Sequence, residues 1–186
     1  MQGDIDRILI DRDSIAERVE QLGEALVADL APAADAGNLV VMPVMTGSLF
    51  FAADLVRHLP LSFRILPVTV QSYPGRQVKS QGVQGADELP EGLDGRTVLL
   101  IDDIFDSGGT IDYLIRGLNN AGVARVVVCV LLRKEIARVI ECPIEERYVG
   151  FDIPDAFVVG YGLDFDGLYR NLPDIATLRE EIISGH

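Results

Sequence analysis

Residues 97–110 constrain the fold more than any other stretch of this chain. Thr97 to Ile101 is β-branched and apolar without polar interruption, the pattern of a strand buried on both faces, as in parallel sheets covered by helices. The run stops at two adjacent carboxylates, Asp102 and Asp103, and Asp106 follows. Ser107, Gly108, Gly109 and Thr110 then lead into helical spacing at Ile111, Leu114, Ile115 and Leu118. Two glycines and two hydroxyl residues at a strand-to-helix turn let backbone N–H groups converge on a helix N-terminus, which is a phosphate site. Ligands of open α/β sheets sit beyond the carboxyl ends of the strands, so Asp102 and Asp103 face the same ligand. Carboxylates accept hydrogen bonds from vicinal hydroxyls and can hold magnesium. Donors for a phosphate beside acceptors for two hydroxyls fit a ribose 5-phosphate. The bland alternative is a strand ending in a solvated acidic turn. A Walker B strand lacks its partner, since the chain has no Gly-x-x-x-x-Gly-Lys-Ser/Thr segment.

The remaining elements fit the same architecture. Residues 11–30 read as an amphipathic helix, with Ser14 and Glu17 at capping-box spacing, one face of Ile15, Val19, Leu22 and Leu26, and an end at Pro32 and Gly37. Residues 39–43 form a second buried strand. It is followed by a turn at Thr46, Gly47 and Ser48 and an apolar helix containing Phe50, Phe51, Ala52, Leu55 and Leu59; Gly47 there suggests close backbone approach to a ligand. Residues 63–70 are a strand candidate in which Pro67 points to an edge or bulge. Periodicity is lost from 71 to 93, a length that in a compact domain marks a functional or disordered loop. Residues 111–121 are helical with Gly122 as a cap, and 125–132 form another buried strand ending at Arg133, Lys134 and Glu135. The strand–helix alternation predicts an α/β fold with a mainly parallel sheet flanked by helices on both faces.

Composition narrows the function. With 186 residues, of which 48% are hydrophobic, the chain is expected to form one domain with a substantial core. No apolar run approaches a membrane span, and the N-terminus lacks the pattern of a signal peptide, so no membrane role and a cytoplasmic location are expected. Cys129 and Cys142 have no neighbouring His and no metal-ligand spacing, and are read as structural. A net charge of -13, from 29 acids and 16 bases, argues against nucleic-acid binding. A polyanionic small substrate must then be met by N–H groups, a few placed cations and bound metal.

The order of hydrophobic strand, two acids, two further residues and Asp106-Ser107-Gly108-Gly109-Thr110 resembles the phosphoribosyl-pyrophosphate (PRPP) motif of the type I phosphoribosyltransferases. Residues 149–173 resemble the purine-binding segment of the hypoxanthine–guanine branch, through Ile153-Pro154-Asp155-Ala156-Phe157-Val158-Val159-Gly160-Tyr161-Gly162-Leu163-Asp164 and then Tyr169-Arg170-Asn171-Leu172-Pro173. With the 44–48 turn, the Ser72-Tyr73 pair and Lys134 in the same order, the resemblance covers about residues 39–178. It implies a magnesium-dependent pentosyltransferase of purine salvage, transferring the phosphoribosyl group of PRPP to hypoxanthine or guanine. Ser107 to Thr110 would bind the 5'-phosphate, Asp102 and Asp103 the ribose hydroxyls, and Asp106, also among the PRPP-binding residues, would be the general base. Thr46, Gly47 and Arg170 would face pyrophosphate, although many members carry a basic residue where this chain has Thr46. Lys134, Phe157 and Val158 would bind the purine, and Asp164, with Asp102 and Asp103, would hold Mg2+. Ser72 and Tyr73 would belong to a loop closing over the site. The family also often has a non-proline cis peptide in the 44–48 turn. The resemblance further implies a core of about residues 35–145, a hood from about 1–34 and 146–186, and a homodimer or homotetramer. A nucleotide-sensing regulator built on the same fold is the alternative.

Overall fold

The computed structural model describes residues 2–70, 89–135 and 148–184. The main sheet is built from Leu39–Met45 (β2), Arg64–Ile65 (β3), Val68–Thr69 (β4), Thr97–Phe105 (β5), Arg125–Lys134 (β6) and Val149–Ile153 (β7), in the order β3-β2-β5-β6-β7 with β4 also on β2. Every pairing in it is parallel. The period-two alternation of the strands explains the layers. Leu39 and Val41 of β2, Leu99 and Ile101 of β5, and Cys129 and Leu131 of β6 pack on one face against the helices Arg12–Asp35 (α1) and Leu49–Leu55 (α2). Val40 and Met42, Val98 and Leu100, and Val128 and Val130 pack on the other face against Gly109–Asn120 (α3). The sheet is therefore covered on both sides, as its unbroken apolar strands require.

A second sheet is antiparallel, in the order β1-β9-β8, and joins Ile5–Ile10 (β1), Ile175–Leu178 (β9) and Val158–Val159 (β8). β7 is an edge strand of the main sheet, and Arg18 ties α1 to it by donating to the Gly150 and Val149 carbonyls at 2.9 and 2.8 Å. Both segments thus pack with the core, leaving the small sheet to residues 5–10, 158–159 and 175–178.

Several boundaries also move. α1 begins one residue after Asp11, whose carboxylate accepts from the Asp13 and Ser14 amides at 3.0 and 2.9 Å; Ser14 is inside the first turn and Asp11 is the cap. The helix runs through Pro32 to Asp35, because Ala34 still has core to bury against, and it closes where Gly37 adopts φ +71° and the Asn38 amide reaches the Ala33 carbonyl at 2.8 Å. α2 stops at Leu55, and Leu59 follows a 3-10 turn at Val56–His58. The 63–70 strand is interrupted at Leu66 and Pro67, with its two halves pairing on β2 at Val40–Val41 and Val44–Met45. β5 does not end at the acid pair: the ladder to β6 continues through Asp102, Ile104 and Phe105.

Candidate active site

Counting only the main sheet, its five principal strands lie in the spatial order second, first, third, fourth, fifth. The winding direction reverses between β2 and β5, and in such sheets the ligand crevice opens at that reversal, beyond the carboxyl ends of the strands. A cavity of about 1030 Å³ lies there, lined by the ends of β2, β4 and β5, the Asp106–Thr110 turn, Phe157, Asp164 and Arg170.

The β5–α3 turn forms its floor. Gly108 caps α3 with φ +86°, a left-handed conformation that glycine adopts without penalty, and its carbonyl accepts the Asp112 amide at 2.9 Å. The first amides of a helix have no intrahelical acceptor, so this terminus presents N–H groups and positive potential to the cavity. Asp102, 5% exposed, accepts the Asp103 amide at 3.0 Å, and Asp103 accepts the Ile104 amide at 2.9 Å. Burial, then the charge of Asp103, pushes the Asp102 carboxyl well above the usual carboxylate range. Burial also raises Asp103, opposed by its hydrogen bonds from Asp102 and the Ile104 amide and by the nearby Arg170 charge. Two acids with raised proton affinity in one crevice suit a ligand that brings hydroxyl donors or a cation.

Three chain segments interlock above this floor. The Met45–Thr46 peptide is cis, as the family resemblance suggested for this turn, and Ser48 fixes the turn by donating from Oγ to the Val44 carbonyl at 2.7 Å. Gly47 lies so close to the Asp103 carboxylate that a Cβ there would overlap it, and a Cβ on Gly162 would overlap the Gly47 carbonyl. The Gly162 amide donates to the Arg170 carbonyl at 3.0 Å, while Arg170 returns Nη1 to the Gly162 carbonyl at 2.5 Å and Nη2 to Asp164 Oδ1 at 2.7 Å. Asp164 Oδ2 accepts the Gly167 amide at 2.8 Å. Acid pair, turn, glycine and arginine thus form one stack.

Residues 11–166 match the phosphoribosyl transferase domain family. The chain belongs to this family. Its curated relatives include the hypoxanthine-guanine phosphoribosyltransferases of Mycobacterium tuberculosis, 38% identical over 95% of this chain and 87% of the relative, and of Bacillus subtilis, 36% identical over 98% of each. A solved hypoxanthine phosphoribosyltransferase from Staphylococcus aureus superposes with a TM-score of 0.86 at 34% identity, covering 98% of this chain and 96% of that one.

In this phosphoribosyltransferase the cavity gathers Thr46, Gly47, Asp102, Asp103, Asp106, Ser107, Gly108, Gly109, Thr110, Phe157, Asp164 and Arg170. Phe157 is 46% exposed and stands edge-on to Phe165, with ring centroids 5.4 Å apart. Val158 is buried in β8, an edge strand of the small sheet. Lys134 Nζ lies 3.4 Å from Asp106 Oδ2 and 3.1 Å from Asp155 Oδ1. Ser72 and Tyr73 fall outside the described residues, as does Cys142. Cys129 is buried in β6, and burial pushes its thiol up, consistent with an inert packing residue. Sequence reasoning assigned nothing to Asp155 and gave Gly162 no packing role. Both lay within the matched purine-binding segment, but their contacts reach other segments that spacing does not reveal.

Two carboxylates side by side, with Asp164 nearby, are hard oxygen donors of the type magnesium takes. Among the described residues no group of three or more His, Cys, Asp or Glu forms a cage. The acid pair itself suits a magnesium ion, which is commonly held by one or two carboxylates together with substrate phosphates. No helix among the described residues is long and apolar enough to cross a membrane.

Proposed function

We propose that this phosphoribosyltransferase is a purine salvage enzyme that transfers the 5-phosphoribosyl group of PRPP to hypoxanthine or guanine, giving IMP or GMP and pyrophosphate. The observation that carries this is the shared cavity: a glycine-capped helix N-terminus, a buried acid pair, an exposed aromatic face and an arginine fork all border one crevice. The names of its relatives favour the enzyme over a nucleotide-sensing regulator.

Glycosyl transfer of this kind passes through an oxocarbenium-like transition state, so the site must hold the ribose, support the leaving pyrophosphate and take the purine's proton. Ser107 to Thr110 hold the 5'-phosphate through N–H groups and hydroxyls. Asp102 and Asp103 accept from the 2'- and 3'-hydroxyls. Asp106, whose carboxylate is 53% exposed, accepts the proton of the attacking purine nitrogen. Thr46 and Gly47 offer backbone donors to pyrophosphate, and Arg170 offers its planar fork. Phe157 stacks on the base, Val158 lends backbone groups to the ring edge, and Lys134 donates to the 6-oxo group. Asp164 and the acid pair would hold magnesium, which would neutralise pyrophosphate charge. The same reading includes a cytoplasmic homodimer or homotetramer, which light scattering measures directly.

Pyrophosphate release from PRPP, assayed with hypoxanthine, guanine, xanthine and adenine with and without magnesium, tests the proposal. Turnover with hypoxanthine or guanine and not with adenine is expected, because the Lys134 ammonium can donate to an oxygen but cannot accept from an amine. Equal use of adenine, or no release with any base, refutes it.

A further inference from the structure

We infer that Asp155 is a positioning residue for base recognition: its carboxylate holds the Lys134 ammonium over the purine once Asp106 is engaged with substrate. This rests on the reading of Lys134 as the donor to the 6-oxo group.

The parallel register delivers Asp155 to this place. β6 and β7 align Arg133 with Asp152 and Lys134 with Ile153. Arg133 locks that register with a two-pronged pair to Asp152, Nε to Oδ1 at 2.5 Å and Nη2 to Oδ2 at 2.8 Å. The Glu135 amide, donating to the Ile153 carbonyl at 2.9 Å, extends the ladder one step. Pro154 then fixes its own φ, and the Ala156 amide closes a tight turn onto the Pro154 carbonyl at 2.8 Å. Asp155, between them, is aimed back at the end of β6.

Lys134 has a side chain only 14% exposed, so water alone does not satisfy its ammonium. Its ammonium is shared by Asp106 and Asp155, which come from different loops. The two contacts have different fates. A lysine bound to Asp106 competes with both proposed roles, since the base must face a purine nitrogen and the ammonium must face the 6-oxo oxygen. Binding of the purine exchanges the Asp106 contact for these two. Lys134 and Asp155 both sit outside the cavity lining; Asp155, whose carboxylate is 65% exposed and which has no assigned substrate group to face, retains the ammonium throughout. Without Asp155, Lys134 would collapse onto Asp106, weakening base recognition while the contacts of Asp102, Asp103 and Ser107 to Thr110 with PRPP stay in place.

The test is a double-mutant cycle of Asp155→Asn and Lys134→Ala, with Asp155→Glu as the conservative replacement. Asp155→Asn is expected to raise the KM for hypoxanthine and guanine by about two- to fivefold, the size a partly exposed ion pair supports. The KM for PRPP and the Tm should stay unchanged, Asp155→Glu should restore part of the loss, and the effect should vanish in the Lys134→Ala background. Equal loss for base and PRPP, a fall in Tm of the same rank, a silent Asp155→Asn, or an effect that persists without Lys134 each overturns the assignment of Asp155. If Lys134→Ala alone leaves base KM unchanged, the reading of Lys134 fails first and the role of Asp155 falls with it.

Discussion

Replacing Gly162 by alanine tests whether the stacked segments set the geometry of the site. Gly162 has φ +107°, where L residues carry strain, and its Cβ would lie well inside 3.0 Å of the Gly47 carbonyl. Held rigidly, the variant would combine roughly 1–3 kcal/mol of backbone strain with roughly 1–3 kcal/mol of overpacking. Gly47 cannot retreat toward β5, because the Asp103 carboxylate fills that side. The turn must instead slide along the crevice by on the order of 1 Å, a displacement that can cost about 100-fold in rate when it misplaces substrate-binding groups. The residual φ strain should lower Tm by about 2–12 °C at roughly 2–4 °C per kcal/mol. Gly167→Ala is the control: its φ is +76°, but nothing lies within 4 Å of its Cβ, so it carries strain without the clash. Thermal unfolding and PRPP-dependent pyrophosphate release should show similar Tm losses for the two variants, with a large turnover loss for Gly162→Ala alone. Turnover of Gly162→Ala within about threefold of Gly167→Ala would refute the role assigned to the stack.

Asp106→Asn should fold with unchanged Tm and lose about 10²–10⁴-fold in turnover at saturating substrates, the usual contribution of a general base; a loss below about threefold would leave Asp106 only a positioning role. Asp102→Asn should raise the Tm of the ligand-free protein at neutral pH and weaken ribose-phosphate binding. Raised proton affinity stabilises the fold fully below the ordinary carboxylate value of 3.8 and is lost as pH rises through the raised value, so the Tm advantage should shrink on acidification; a pH-independent difference would contradict this. Arg170→Ala and Asp164→Ala should each weaken pyrophosphate and PRPP binding more than monophosphate binding. Their effects should be non-additive, because the two side chains pair at 2.7 Å; titrations showing uniform loss across ligands would assign both to structure.

Features dictated by local pattern were legible in the sequence. The apolar runs of β2, β5 and β6 signalled strands buried on both faces, the alternation with helices signalled a parallel sheet, and the two glycines after Asp106 signalled the strand-to-helix turn that opens α3. Features fixed by distant pairing were not. β1 is a short strand whose partner is β9, and nothing in residues 5–10 or 175–178 alone announces that match. α1 outran Pro32 because core contact outweighed one missing N–H. Lys134 read as a strand-end cation facing the purine, and its pairing with two acids from other loops was not legible. Arg170 and Asp164 read as separate ligand contacts and proved to be paired. Glycine spacing flagged Gly47 as a close approach to a ligand; its contacts with Asp103 and Gly162 depend on three segments meeting in space.

The small antiparallel sheet gives this protein a particular order of events during synthesis. Ile10 pairs with Ile175 and Ile5 with Leu178, and Tyr169 donates to Asp4 across 165 positions of chain. At roughly 5–20 residues per second, β1 waits about 8–33 s for its partner. Throughout that interval it is an open strand edge in a crowded ribosomal exit zone, and Asp6 and Arg7 within it supply the charge that discourages foreign pairing. The β2–β5–β6 scaffold emerges earlier and can assemble without it. The wall carrying Phe157 and Val158 is seated only when β8 finds β9. The nascent chain therefore forms the crevice at the β5–α3 turn first and the wall carrying Phe157 and Val158 last.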